Sequence, residues 1–192
     1  MPDTGSPVTR AAEGLNRHRF SVKDVERMLK DGVLDPAARF ELLDGEIVPM
    51  APMHVPHAAM SLAIAAWFLE RLEAPLKALA GVMTVLSSHS QVDPDIVIYR
   101  AGAKKTVAAA SVRLAIEVAD AALAKDLRVK ARLHGEAGIP EYWVIDLKKR
   151  ITHVHRRPGT GAWTKPKKVA FAEKLAPLFD KRLALRIDDL DL

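Results

Sequence analysis

Two hydrophobic periods alternate along the chain. Between residues 21 and 30 the apolar positions Val22, Val25, Met28 and Leu29 recur at helical spacing and share one face. Ser21 reads as the N-cap, with Asp24 as the third helical residue, and Asp31-Gly32 as the stop. The pattern then shortens to two strands, 39–43 and 46–50, around Asp44-Gly45, a strong hairpin signal. Pro52 and Pro56 mark a loop holding His54 and His57. Helical spacing returns from 57 to about 80 through Met60, Ile64, Trp67, Phe68, Leu72, Leu76 and Leu79, with Pro75 set to kink or end it and Gly81 as the stop. Strands are predicted over 82–86, 96–99 and 113–118, with a turn over 87–91 and a surface loop over 101–111. A helix over 122–137 stops at Gly138, two residues before Pro140. Strands 141–146 and 151–156 pair across Lys148-Lys149, and one or two short strands and a tail complete the chain. Residues 1–18 show no period and read as a mobile leader, leaving 19–192 as one domain. This order predicts an α/β fold, a mixed sheet flanked by helices.

Composition narrows the class. The 192 residues are 49% hydrophobic and 28% charged, a globular balance. There is no cysteine, which rules out disulfides and thiolate metal sites and fits a reducing, cytoplasmic setting. No signal-peptide pattern opens the chain, and the longest apolar stretch is too short to span a bilayer, so no membrane role is expected. The net charge of +5 is unevenly spread: residues 1–96 carry 9 Lys/Arg against 13 Asp/Glu, and residues 97–192 carry 20 against 11. Basic clusters at Lys104-Lys105, Lys148-Lys149-Arg150, Arg156-Arg157 and 165–168 suit a polyanion such as nucleic acid. Ordinary solubilising surface is the plain alternative.

The candidate chemistry sits at strand ends. Asp95 opens the run Ile96-Val97-Ile98-Tyr99, Glu117 closes Leu114-Ala115-Ile116, and Glu41 precedes the Asp44-Gly45 turn. Carboxylates in apolar strands are costly unless they are paired or hold a metal. Asp126 and Lys130 are four apart on the helix and share a face that His134 continues. Magnesium favours carboxylate oxygens, polarises phosphoryl groups and lowers the pKa of an attacking water, and a nearby ammonium stabilises the developing charge. Each residue also has a structural reading. Asp95 and Glu117 pair with Arg113 or Arg128, Glu41 is a strand-edge charge, Lys130 is a solvated helix lysine, and His57 is a surface residue at a helix start. Glu46 rivals Glu41, and a regular turn is expected to set the two on opposite sides. Tyr142 and Trp143 read as core. His153 and His155 alternate on one strand face, a thin basis for zinc.

The segments Glu41-Leu42-Leu43-Asp44-Gly45-Glu46, Pro94-Asp95, Glu117-Val118 and Gly138-Ile139-Pro140-Glu141-Tyr142-Trp143-Val144-Ile145-Asp146, with His57, Asp126 and Lys130 between them, resemble the Uma-two type of restriction-endonuclease-like proteins in the PD-(D/E)xK nuclease superfamily. The resemblance spans roughly residues 20–190. It implies a four- to six-stranded mixed sheet with helices on it and a magnesium site at one edge, manganese fitting equally well. Carried over by position, Asp95, Glu117 and Glu41 are the metal-binding acids, Lys130 is the catalytic lysine, and His57, Asp126 and His134 are secondary site residues. The implied activity is endonucleolytic hydrolysis of phosphodiesters in DNA, with a homodimer suited to cutting two strands. The chain also departs from the pattern. Ala119 stands two residues after Glu117, where the superfamily usually has its lysine, and His134 replaces a tyrosine. The segment Ala119-Asp120-Ala121-Ala122-Leu123-Ala124-Lys125 lacks the small hydroxyls usual there. That change motivates the alternative: an inactive module on the same fold that binds nucleic acid or protein.

Overall fold

The computed structural model describes residues 8–10, 16–102, 106–119, 123–157, 163 and 165–191. The expected leader contains two short strands, β1 (Val8–Arg10) and β2 (Asn16–His18), paired antiparallel. Helix α1 (Val22–Lys30) begins as its sequence predicts. The Ser21 hydroxyl accepts from the Asp24 amide, while Asp24 accepts from the Ser21 amide, so two of the helix's unpaired first-turn donors are satisfied.

Strands β3 (Phe40–Leu43) and β4 (Glu46–Pro49) form the expected hairpin. Both turn residues are left-handed, with φ 53° at Asp44 and 86° at Gly45, the geometry that matches the strand twist. A Cβ on Gly45 would also lie 2.1 Å from the Arg19 side chain. The register pairs Glu41 with Val48 and Leu43 with Glu46. Directly paired residues point the same way, so Glu46 shares a face with Glu41 rather than opposing it.

Helix α2 (Val55–Leu69) ends well before the expected residue 80, and Leu76–Ala80 is strand β5. Pro75 disfavours helical geometry at Ala74. Beyond it, β5 pairs antiparallel with strand β8 (Ile96–Arg100), Leu79 opposite Val97. Leu76 and Leu79 fit a helical period, but the edge of a sheet claims them. Between them lie β6 (Thr84–Ser87) and β7 (Ser90–Val92), which takes up part of the predicted turn. After β9 (Val107–Ala108) and a 3₁₀ turn comes β10 (Val112–Ala119). The helical segment that follows has three parts: α3 (Leu123–Lys125), a π-helical turn (Asp126–Lys130) and α4 (Ala131–Glu136). Strands β11 (Glu141–Asp146), β12 (Ile151–Arg156) and β13 (Lys167–Ala170) complete the order.

The expected mixed sheet is six-stranded, β13-β12-β11-β10-β8-β5, and a second, five-stranded sheet, β4-β3-β7-β6-β9, accompanies it. β10 and β11 run parallel, so the chain must cross over between them, and the crossover is the segment from α3 to α4. Along β10 the side chains alternate. Leu114, Ile116 and Val118 join the core under α2 with Phe68, Ile64 and Trp143. Ala115 and Ala119 join a second core with Val97, Leu133, Tyr142 and Val144. Glu117 has the parity of this second face, and small residues two positions away on each side leave room for a neighbour. Tyr142 and Trp143 are both fully buried core residues, as expected. Among the described residues no helix is long and apolar enough to cross a membrane.

Glu141, a fully buried acid of the main sheet, has a structural task. Glu141 accepts hydrogen bonds from Trp143 Nε1 at 2.8 Å, Arg156 Nε at 2.7 Å and the Leu178 amide at 2.5 Å. It thereby ties the C-terminal segment to the β11–β12 hairpin, and its burial is compensated three times over.

Core packing in the sheet sets a scale for stability. Ile116→Ala, at a fully buried position of β10, is expected to cost about 3 kcal/mol. Leu62→Ala, at a residue of α2 that is 72% exposed, is expected to change stability by less than about 0.5 kcal/mol. Urea denaturation of the two variants reads both values.

Candidate functional site

The sequence-predicted residues converge where the two sheets meet the crossover helix. Glu41 comes from β3 in the smaller sheet, Glu117 from β10 in the larger one, and Lys130 from the π-turn. Lys130 Nζ lies 2.7 Å from Glu41 Oε1 and 2.8 Å from Glu117 Oε1, with Asp126 Oδ1 at 4.0 Å. Lys130 is 3% exposed, so this is a buried clamp and not a solvated helix lysine. Asp95, just before β8, accepts the Val118 amide on Oδ2 at 2.7 Å. The same oxygen lies 3.1 Å from His57 Nε2, so His57 serves this cluster rather than the surface.

The π-turn explains a partner that periodicity hides. In this turn the Ala131 amide donates to the Asp126 carbonyl, five residues back. Such turns are inserted singly in helices, frequently at functional positions. Here the widened turn lets Lys125 and Lys130, five apart, both reach one acid: Lys125 Nζ lies 3.2 Å from Glu41 Oε2. On an α-helix those two lysines diverge in direction, so the 3.6-residue period gave no reason to single out Lys125. Asp93 is the other residue missed; its amide donates to Glu41 Oε1 at 3.2 Å. Both oxygens of Glu41 are therefore occupied by lysine and amide donors.

His134 stands apart from the pocket. It is fully buried, stacks on Tyr142 at 4.5 Å and places Nδ1 2.8 Å from the Lys130 carbonyl. It supports the helix from behind, as Tyr142 does by donating its hydroxyl to the Asp126 carbonyl at 3.2 Å. The ion-pair alternative is not what the structure holds. Arg113 donates to the Ala110 and Val112 carbonyls, and Arg128 lies in a separate groove on the outer side of the helix. Glu46 sits at the turn end of its hairpin, away from Lys130. Asp120 and residues 121–122 of the altered segment lie outside the described residues.

The pocket between these groups and the 50–54 loop has a volume of about 150 Å³, and Asp95, Glu117, Asp126, Lys130, Lys125 and His57 all line it. Three of the lining side chains are carboxylates, and Glu41 adds a fourth behind Lys130; two ammonium groups, the His54 and His57 imidazoles and the Arg39 guanidinium stand among them. The protonation equilibria follow from burial and from these neighbours. Burial pushes the Glu117 carboxyl well above its ordinary range, against the pull of Lys130. Burial likewise raises Asp126, to about 6. Burial also opposes ionisation of Glu41, but Lys130, Lys125 and the Asp93 amide outweigh it and hold this carboxyl below its usual range. Burial disfavours the Lys130 ammonium, yet Glu117, Glu41 and Asp126 together raise its pKa. The hydrogen bond to Asp95 raises that of His57. Two lysines cannot neutralise every acid, so the least compensated carboxyls, Glu117 and Asp126, keep protons longest.

The donor set suits a hard cation. Oδ1 of Asp95 and Oε2 of Glu117 have no hydrogen-bond partner among the described residues, and both side chains line the pocket. Among the described residues no three His, Asp or Glu side chains form a cage by themselves. Magnesium is commonly held by one or two carboxylates, its remaining positions filled by water and substrate phosphate, so two open carboxylate oxygens fit it. His153 and His155 find no comparable set: His153 Nε2 faces Asp146 Oδ2 at 3.8 Å, and no third ligand completes a zinc site among the described residues.

Comparison with known proteins bears on the fold and the family. The fold is similar to the crystal structure of a "putative nuclease" of the DUF820 group from Anabaena variabilis, with a TM-score of 0.69 and 13% sequence identity, over 88% of this chain and 96% of that one. At that identity the likeness concerns the fold. No curated protein matches the chain. The model of the Uma2 family, described as "Putative restriction endonuclease", matches residues 22–186, from the start of α1 to the last turn of the chain, and includes every residue of the pocket. The chain belongs to the Uma2 family of nuclease-like proteins.

Proposed function

We propose that the protein is a metal-dependent endonuclease that hydrolyses phosphodiester bonds in DNA. The observation that carries the proposal is the buried Lys130 clamped between Glu41 and Glu117, beside two open carboxylate oxygens on Asp95 and Glu117. A structural ion pair calls for one acid per lysine, and here a surplus of acid faces a pocket. Asp95 and Glu117 would hold a magnesium or manganese ion, which would supply polarisation of a phosphoryl oxygen and a lowered pKa for a neighbouring water.

The chain's own groups do the rest. The water oxygen bonds to phosphorus as a P–O ester bond breaks. The water gives up a proton, and the departing alkoxide takes one. Lys130 presents a fixed ammonium toward the charge that develops on the phosphoryl oxygens. Glu41, with both oxygens on lysines and an amide, holds Lys130 in place rather than entering the metal's shell. His57 and the Val118 amide fix the rotamer of Asp95 by binding one oxygen and leaving the other open. The basic second half of the chain supplies phosphate contacts. Work on two strands suits a homodimer.

The second reading is a binding module on the same fold without turnover. The departures at Ala119 and through residues 120–125 favour it, since hydroxyls that approach a phosphate are missing there. The two readings separate in one assay. Purified protein with magnesium or manganese is expected to cut plasmid or single-stranded DNA, to stop in EDTA, and to lose at least about 100-fold in rate in Asp95→Ala and in Lys130→Ala. Equal cleavage by both variants and the parent removes these assignments; salt-sensitive binding with no cutting under either metal supports the module. Lys130→Ala is also expected to lose about 3 kcal/mol of stability, because it strands two buried carboxylates, so its folding is checked by circular dichroism.

The titrating groups predict a pH dependence. A carboxyl whose folded-state pKa is raised contributes most below its unfolded value and loses that contribution as pH rises through the folded one. For Asp126 the window runs from 3.8 to about 6, and Glu117 acts in the same direction. His57, raised above 6.5, is stabilising while protonated and loses its contribution as pH rises past its folded value. Buried His134 and His155, lowered to about 4, act in the opposite sense over the same range, so the readout is the metal effect: millimolar magnesium is expected to raise the melting temperature more at about pH 8 than at about pH 5, where the acids must first lose protons. An equal magnesium effect at both values argues against cation binding by these acids.

A further inference from the structure

The crossover helix has a second working face. Asp126 and Lys130 point into the pocket, whereas Arg128, Arg132 and Gly135 line an open groove of about 440 Å³ on the outer side, closed by Trp163 and His155. Gly135 packs against the tryptophan: a Cβ there would stand in ordinary contact, 3.4 Å from the indole ring. Trp163 is anchored, donating Nε1 to the Ile139 carbonyl at 3.0 Å, with His155 5.1 Å away and Tyr142 5.7 Å away. The indole is thus a fixed wall.

The charges in the groove are unbalanced. Arg132 is spent on Glu136, which accepts two hydrogen bonds from its Nη1. Arg128 is exposed and makes no ion pair with any described residue. Arg157 donates to the Gly135 carbonyl, and its buried Nε has no partner. Deeper still, His155 is 6% exposed and its buried Nε2 also has no partner. Burial lowers the pKa of this imidazole to about 4, so it is neutral at ordinary pH and its free nitrogen suits a neutral polar group. Two buried nitrogens left unpaired beside an open groove mark a place where a ligand completes the hydrogen bonding.

We infer that this groove holds one unstacked nucleotide of a single-stranded nucleic acid, its phosphate on Arg128 and Arg157 and its base against Trp163 and His155 Nε2. A duplex shows such a surface only its phosphates, and leaves the aromatic wall and the buried nitrogen without a use. An unpaired base supplies both a flat face and a polar edge. The groove and the pocket lie back to back across one helix, about 10 Å apart by the width of a helix. A strand whose scissile phosphate sits at Asp95 and Glu117 therefore reaches the groove within a few nucleotides. The inference deepens the nuclease proposal and rests on it for that placement.

The test measures binding of fluorescent oligothymidylate of about twenty nucleotides, and of a duplex of equal length, by anisotropy in EDTA, for the full chain and for Arg128→Gln and Trp163→Leu. Arg128 is exposed, so its variant folds even if the tryptophan variant does not. Trp163→Leu is expected to weaken single-strand binding about ten-fold and to leave duplex binding unchanged. Arg128→Gln is expected to weaken it several-fold and to make the log–log salt slope shallower by about 0.7. Oligothymidylate bound as tightly by both variants as by the parent overturns the inference, while metal-dependent cutting by the parent leaves the nuclease proposal standing. Equal losses on duplex and single strand also overturn it, by reducing the groove to a phosphate contact. Losses confined to the single strand, in a parent that cuts nothing with magnesium or manganese, uphold the groove and refute the nuclease.

Discussion

A single ammonium group holds the layers of this protein together. Lys130 reaches from the crossover helix to Glu41 of the small sheet and Glu117 of the large one, and each contact is a short, charge-assisted hydrogen bond in surroundings nearly free of water. Low dielectric makes such bonds strong and makes every unpaired charge expensive. The smaller sheet, the larger sheet and the helix therefore find one relative placement in which three charges are satisfied together. Placement of the pocket is a by-product of that constraint: the same contacts that join the layers leave Asp95 and Glu117 with open oxygens on one side.

The features that surround the clamp all serve to hold it. Small residues on either side of Glu117 admit the lysine. Tyr142 and His134 bind carbonyls of the helix from the core side, and the π-turn swings Lys125 onto the second oxygen of Glu41. The helix is thus fixed at its backbone as well as through its charges. A rigid helix can present different chemistry on its two faces, with acids and lysine inward and arginines outward.

Much of this was legible in the sequence because it rests on local rules. The Ser21 and Asp24 capping box, the Asp44-Gly45 turn and the strands around Ile96, Ile116 and Val144 follow from short-range geometry and from runs of apolar residues. Asp95, Glu117 and Glu41 stood out because charge in or beside an apolar strand demands a reason, whereas Lys130, on a helix, was singled out through the family resemblance. What could not be read depends on distant parts of the chain. The spacing of Leu72, Leu76 and Leu79 is helical, yet β8 offers an open edge at that place and takes residues 76–80 as a strand. The division of the strands between two sheets is a matter of which edges meet, and periodicity is silent on it. Lys125 and the side on which Glu46 lies depend on a π-turn and on a register, neither of which leaves a mark in composition.

The clamp also constrains how the sequence can drift. Replacing Lys130 alone strands two carboxylates, and replacing Glu41 alone takes the acid from Lys125 and one of the two from Lys130, so each single step costs stability. A lineage that gives up catalysis cannot lose these residues one at a time at little cost; it must exchange lysine and glutamates together for apolar side chains of similar volume, which leaves a dry joint between the sheets. Lys130, Glu41 and Glu117 are therefore tied to one another as a unit, kept together or exchanged together.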